Sequence, residues 1–290
     1  MVLHLLSWCA YLPRYRRSNG KTYVPIPGPD EDIITMSYES CYMLRRSSKS
    51  VSSRGIRSLI FLSQNNLGGV SKSALLASLL KLNDVATYDV HDFYNLFNIA
   101  HKLVYDGDVL VIVSDIAEGA AATSLLLSSS KGPVEVIRTE VLSNAIPLVP
   151  NEKSRSDVYA ELFIKTISKF VSDVINHAGI SPKDVKYVAT NLKDIKYGTK
   201  MLRSLGINDA SLEPTKYIST LAYFGDAHSI LALVRSLELA NVGDYILFMN
   251  LNSFSNFVAA VLRVNEDIGN VRGCVSYLEH LLQTASIISK

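Results

Sequence analysis

Two segments of the chain are written to the same plan. DFYNLFNIAHKLVYDGDVLVIVSD, residues 92–115, reads as a helix, a Gly-Asp turn and a strand, and SILALVRSLELANVGDYILFMNL, residues 229–251, reads the same way. The helices carry apolar residues at three-to-four spacing: Leu96, Ile99, Ala100 and Leu103 in one, Ile230, Leu233, Val234 and Leu237 in the other. The strands Val109–Val113 and Tyr245–Met249 are almost wholly apolar, as strands buried on both faces must be. A chain that repeats this unit is constrained to build two similar α/β halves.

The plan extends upstream. IRSLIFLSQNN (56–66) and VKYVATNLKD (185–194) each read as a strand ending in polar residues. Helices are expected before them, at 34–46 and 156–178, and after them, at 72–82 and 195–205. The connection at 128–156 combines a strand-like piece with a Pro-rich polar stretch. It divides the chain into an N-terminal half, 1–150, and a C-terminal half, 151–290, forming one pseudo-twofold unit. Asp30, Glu31 and Asp32 place negative charge at the start of the first helix, where the macrodipole favours it. The opening VLHLLSWCAYL has no basic flank or small-residue cleavage site and is read as a buried first strand rather than a signal peptide.

Composition narrows the function. With 48% hydrophobic and 19% charged residues the chain can bury a large core. A net charge of +2 and the absence of a long Lys/Arg run argue against a nucleic-acid partner. No apolar run reaches membrane-spanning length, so no membrane association is expected. Cys9, Cys41 and Cys274 are scattered without metal-ligand spacing, so no metal site is expected, and the sparse odd count fits a reducing cytoplasm.

The residues carry a resemblance. AYLPRYRR (10–17) followed by PGPDEDIITMSYES (27–40) resembles the N-terminal region of archaeal hydroxymethylglutaryl-CoA synthases. VKYVATNLKDIKYGTKMLRSLG (185–206) falls on that family's segment around its catalytic histidine, and LAYFGDAHSILALVRSLELANVGDYILF (221–248) on its last helix, turn and strand. The resemblance implies the thiolase fold: two duplicated α/β halves in five αβαβα layers. It also implies a chemistry in which a cysteine thiolate takes an acyl group, a glutamate removes a proton, a histidine holds the second substrate and an asparagine loop positions the reacting carbonyl.

Position by position, this chain departs from the pattern. Val90 falls at the place of the cysteine, and no cysteine lies between 42 and 273. Gln64 falls at the glutamate, Asn191 at the histidine and Tyr223 at the asparagine. The Gly-rich stretch after the last strand becomes NLNSFSNF (250–257), where Phe254 and Phe257, with Val90 and Tyr223, would fill a former cavity. The reading is a degenerate thiolase-like pseudoenzyme with no catalytic residue intact and no cofactor, a homo- or hetero-oligomer with a thiolase-fold subunit. The alternative is an acyl-CoA-binding protein or acyltransferase with a remodelled site, in which Lys196, near the implied CoA entrance, contacts CoA or acyl-CoA as ligand. A third is an active synthase in another register, acylated on Cys9, Cys41 or Cys274.

Other residues have ordinary readings. Neighbouring His91 and Asp92 are expected to point apart. Asp226 is expected to cap the last helix, with His228 in its first turn. Ser114 and Asp115 end a strand, but no GxSxG elbow accompanies them.

Overall fold

The computed structural model describes residues 3–18, 23–47, 55–143, 157–192, 195–252, 256–268 and 286–287. The first half contains β1 (Leu3–Tyr11), β2 (Tyr15–Ser18), β3 (Tyr23–Ile26), α1 (Ile33–Ser47), β4 (Ile56–Leu62), α2 (Lys72–Leu79), β5 (Ala86–Val90), α3 (Phe93–Leu103), β6 (Asp108–Ile116) and β7 (Ala120–Ser128). The second contains α4 (Asp157–His177), β9 (Val185–Thr190), α5 (Ile195–Leu205), α6 (Glu213–Leu221), α7 (Ala227–Leu239), β10 (Tyr245–Asn252) and β11 (Asn256–Val264), and by its pairing with β11 also β8 (Val134–Ser143), which lies ahead of the division expected at 150/151. A last strand, β12 (Ser286–Ile287), joins β2 and β3 in a small separate sheet.

The repeat is visible in the pairing. The large sheet runs β5-β4-β6-β7-β1-β8-β11-β10-β9. In the first half β4 and β6 are parallel, and β7 and β1 follow antiparallel. In the second half β9 and β10 are parallel, and β11 and β8 follow antiparallel. The halves meet where β1 pairs with β8 over Leu3–Leu5 and Val134–Val136. The expected connection at 128–156 thus contains β8, and residues 144–156 lie outside the described residues.

Strand alternation fixes the layers. Val109, Val111 and Val113 of β6 point into one apolar cluster, Leu110 and Ile112 into another. Ile246 and Phe248 of β10 point into the first of these, Leu247 and Met249 into a third. The shared cluster holds α3 and α7, and inner-face residues of both halves pack on them. The second lies under α1 and α2, the third under α4 and α5. Three helix layers separated by the two halves of the sheet are the expected five-layered αβαβα arrangement, because each central strand needs cover on both sides.

The halves differ at one place. Where the first has the edge strand β5, the second has a 3-10 turn (Asp209–Leu212) and α6. The sequence reading did not anticipate α6. It covers the free edge of β9: Ser211 Oγ donates to the Val185 carbonyl at 3.2 Å, and Thr215 Oγ1 donates to the Val188 carbonyl at 2.8 Å and accepts from the Thr190 amide at 3.1 Å.

The chain ahead of α7 is held by the other half. Gly119, at the tip of the β6–β7 hairpin, donates its amide to the Tyr223 carbonyl at 3.1 Å. Gly225 has φ +56, and a Cβ there would lie 1.9 Å from Asp115 Oδ2. Both the conformation and the close approach require glycine. Gly225→Ala is expected to destabilise the chain by at least about 2 kcal/mol in urea unfolding, from strain plus displacement of Asp115. An unchanged midpoint would contradict this contact.

Candidate functional site

The residues singled out in the sequence lie at the ends of the parallel strands and at the start of α7. Gln64 follows β4, Val90 ends β5, Asn191 follows β9 and Tyr223 precedes α7. Contacts connect three of these neighbourhoods. Gln64 Nε2 donates to the His91 carbonyl, next to Val90, and to Asp226 Oδ2 at 2.9 Å, three residues after Tyr223. Val90 is 6% exposed and packs in the central apolar cluster. The Tyr223 ring lies 5.4 Å from that of His228.

Asn191 is occupied differently. Its Oδ1 accepts from the Leu251 amide at 2.9 Å and its Nδ2 donates to the Leu251 carbonyl at 3.3 Å. The first half repeats this clasp. Asn65 Oδ1 accepts from the Ile116 amide at 2.9 Å, and its Nδ2 donates to the Ile116 carbonyl at 3.4 Å. In each half an asparagine after one parallel strand holds both backbone groups of a residue near the end of its neighbour. A carboxamide suits this because it carries a donor and an acceptor on one rigid plane.

Asp226 departs from its expected role. It begins α7 in a helical conformation, and its side chain makes no capping bond. Its carboxylate accepts from Gln64, while its amide donates to Asp115 Oδ2 at 3.0 Å. Asp115 also accepts from the Ile116 amide at 3.0 Å. Two buried carboxylates, one from each half, therefore lie around Gly225. Burial pushes Asp226 up to about 6, against its bond to Gln64 and with the Asp115 and Asp92 charges adding to the rise. Burial also raises Asp115, opposed by its two backbone donors and by the charge of Lys72.

His228 is 1% exposed, in the first turn of α7 as expected. Its Nε2 is 3.2 Å from Ser219 Oγ, and burial lowers it to about 4, so it is neutral at pH 7. Asn250, fully buried, donates to Ser229 Oγ at 2.9 Å. His228 Nδ1 and Asn250 Oδ1 are buried with no hydrogen-bond partner among the described residues.

Three expectations need adjustment. NLNSFSNF contains the end of β10 and the start of β11, which pair antiparallel with Asn252 opposite Asn256; 253–255, including Phe254, lie outside the described residues. Phe257 points into the outer cluster beneath α4 and α5, not toward the centre. Cys9 is disulfide-bonded, so cysteine count carries no argument about compartment. Among the described residues no helix is long and apolar enough to cross a membrane. Lys196 lies on α5, where it lines a 350 Å³ groove with Ile195, Thr199, Lys200 and Arg203. That groove shares no lining residue with the central network.

Comparison with known proteins is consistent with this frame. No family model matches the chain. It is 27% identical over 124 residues to hydroxymethylglutaryl-CoA synthase of Methanopyrus kandleri, a stretch covering 43% of this chain and 35% of that enzyme. The match thus spans about a third of that relative's length. The curacin-pathway HMG synthase superposes with a TM-score of 0.81 at 13% identity, covering 100% of this chain and 86% of that one. 3-Oxoacyl-[acyl-carrier-protein] synthase III of Aquifex aeolicus superposes with 0.73 at 18% identity, covering 90% and 99%. PksG, an HMG-CoA synthase of Bacillus subtilis, gives 0.79 at 15% identity, covering 99% and 85%. The fold is thiolase-like, and the chain is related to hydroxymethylglutaryl-CoA synthase.

The raised carboxyl of Asp226 gives a signed pH dependence. An unfolded aspartate ionises near 3.8, so the folded state loses stability as pH rises from about 4 through about 6. Asp226→Asn keeps an acceptor for Gln64 and removes the buried charge. It is expected to stabilise the chain at pH 7 by up to roughly 3 kcal/mol and by under about 1 kcal/mol at pH 4, read from urea unfolding at both pH values. Asn191→Ala leaves both Leu251 groups without their side-chain partner and is expected to cost about 1–3 kcal/mol at either pH.

Proposed function

We propose that this chain is a non-catalytic relative of hydroxymethylglutaryl-CoA synthase, a structural or regulatory subunit that associates with itself or with an active acyl-CoA thiolase or synthase. The observation that carries the reading is that Val90, the residue the sequence resemblance aligns with the acyl-carrying cysteine, is a buried aliphatic side chain at the end of β5. An isopropyl group forms no thioester, so the covalent route has no carrier there. The neighbouring substitutions agree. Gln64 has no basic oxygen to take a proton, and its amide is engaged as a donor. Asn191, which the resemblance aligns with the family's histidine, is engaged in holding backbone. The thiol of Cys41, buried in α1, is pushed far above its ordinary value by burial, which suppresses the thiolate.

The two edges of the large sheet support association. Hydroxyl groups cover the edge at β9, whereas no such cover is present on β5 among the described residues. An uncovered edge strand is a template for pairing with another chain.

A second reading has its own observation. Lys196, Lys200 and Arg203 lie at four- and three-residue spacing along the groove on α5, and cationic side chains with Thr199 suit the phosphates of CoA or an acyl-CoA. Arg203 is already paired with Asp209 at 2.5 Å, so Lys200 is the cation on which the test of this reading is placed. In this reading the chain binds acyl-CoA without acylating itself.

Intact mass after incubation with acetyl-CoA separates these from an active enzyme. The expected result is an unmodified chain; an acetyl adduct on any cysteine would overturn the non-catalytic reading. Calorimetry with CoA decides the second reading: heat that Lys200→Glu abolishes supports it, and no heat at millimolar CoA removes it. Hydrogen exchange tests association, with the amides of β5 expected to gain protection as oligomer forms; unchanged exchange would exclude that edge.

A further inference from the structure

The outer helix layers of the two halves are not alike. On the second half, α4 exposes Glu161, Lys165, Lys169 and Asp173, a solvated face, and Tyr197 (41%) stands alone among the cations of α5. On the first half, α1 and α2 expose Tyr42 (46%), Leu75 (38%) and Leu79 (46%), with Val70 (55%) just ahead of α2. Leu75 and Leu79 are one turn apart and face outward, while Leu76 and Ala77 of the same helix are buried beneath it. A helix apolar on both faces is ordinarily covered on both. On α1, Tyr38 and Tyr42 are also one turn apart and stack, with centroids 6.4 Å apart and planes at 12°.

Charge is divided along this stripe. A cavity of about 710 Å³ has Tyr38 and Leu79 in its lining together with Asp30, Glu31 and Glu39; Arg14 also lines it. A second cavity, about 410 Å³, shares Tyr38 and Leu79 but has Arg45, Arg46 and Lys81. The stripe is therefore acidic toward the start of α1, apolar in the middle and basic toward its end. Glu39, Tyr42 and Arg46 lie at three- and four-residue spacing and so on one face. Rotating a second copy by half a turn about an axis through Tyr42 sets Glu39 against Arg46 of the copy and Arg46 against its Glu39. A face that matches itself under a two-fold is what an isologous interface requires.

We propose that the α1/α2 face is a two-fold interface between two copies of this chain, with Tyr42, Leu75 and Leu79 at its centre and reciprocal Glu39–Arg46 pairs at its ends. The four helices form one added layer over the first half. This contact is separate from the β5 edge and does not depend on the chain being inactive.

Sedimentation equilibrium and native mass measurement of the full chain test it. The wild type is expected to dimerise, and Leu79→Glu, at an exposed position, to raise the dimer dissociation constant at least about tenfold. Glu39→Arg and Arg46→Glu are each expected to weaken dimerisation, and their mixture to form a heterodimer, because each reversed charge then meets its opposite. The proposal is overturned if the wild type is monomeric at about 100 μM, a concentration that reveals even weak pairs. It is equally overturned if Leu79→Glu leaves the dimer intact or if the mixed variants fail to pair. A chain that dimerises as described and yet forms an acetyl adduct would keep this interface and discard the non-catalytic reading.

Discussion

The fold depends on a helix with almost no exposed surface. Ten residues of α7, from Ala227 to Leu237, are buried, because inner-face residues of both halves of the sheet pack around it. Polar side chains on such a helix draw their partners from within, since a buried donor or acceptor left unmade costs about 1–3 kcal/mol, more than the net worth of a typical bond; His228 Nδ1 is an exception. Ser236 bonds to the Ala232 carbonyl, Ser229 accepts from Asn250, and His228 reaches Ser219. The same enclosure keeps His228 neutral and holds a proton on Asp226 above the usual carboxylate range. These two groups tilt stability in opposite directions between about pH 4 and 6, so each masks part of the other's response.

Duplication explains why the central network is built from both halves. Asp115 ends a strand of the first, Asp226 begins a helix of the second, and Gly225 allows them to meet. The asparagine clasps show the duplication at the level of single hydrogen bonds. Asn65 and Asn191 perform the same task on Ile116 and Leu251. A neutral imidazole in place of Asn191 could not hold both groups of one residue, because its donor and acceptor point away from each other. Asn191 is thereby tied to the architecture of β10.

Much of this was legible in the sequence. Near-continuous apolar runs located β6 and β10, runs ending in polar residues located β4 and β9, and three-to-four periodicity located α3 and α7, with α1, α2, α4 and α5 read as the helical stretches around them, because those signals come from burial itself. α6 was not legible, since EPTKYISTL is short and half polar, and its place is set by the edge of β9 rather than by its own pattern. Phe257 was placed on the wrong face because a strand's period is two, so the pairing of Asn252 with Asn256 decides the side. Asp226 looked like a helix cap because it stands at the right position. Its partner Gln64 is 162 residues away and no local rule could supply it.

The position of β1 has a consequence for synthesis. Among the described strands it is made first, yet it lies at the middle of the sheet, between β7 and β8. Its partners begin at Ala122 and Val134, more than a hundred residues downstream. At about 5–20 residues per second, the stretch with Leu3, Leu5, Trp8 and Ala10 waits roughly 6–25 s on the ribosome before it can be buried. During that interval an apolar strand with both edges open is available to any neighbour, so β1 is where a nascent-chain chaperone would have most to hold.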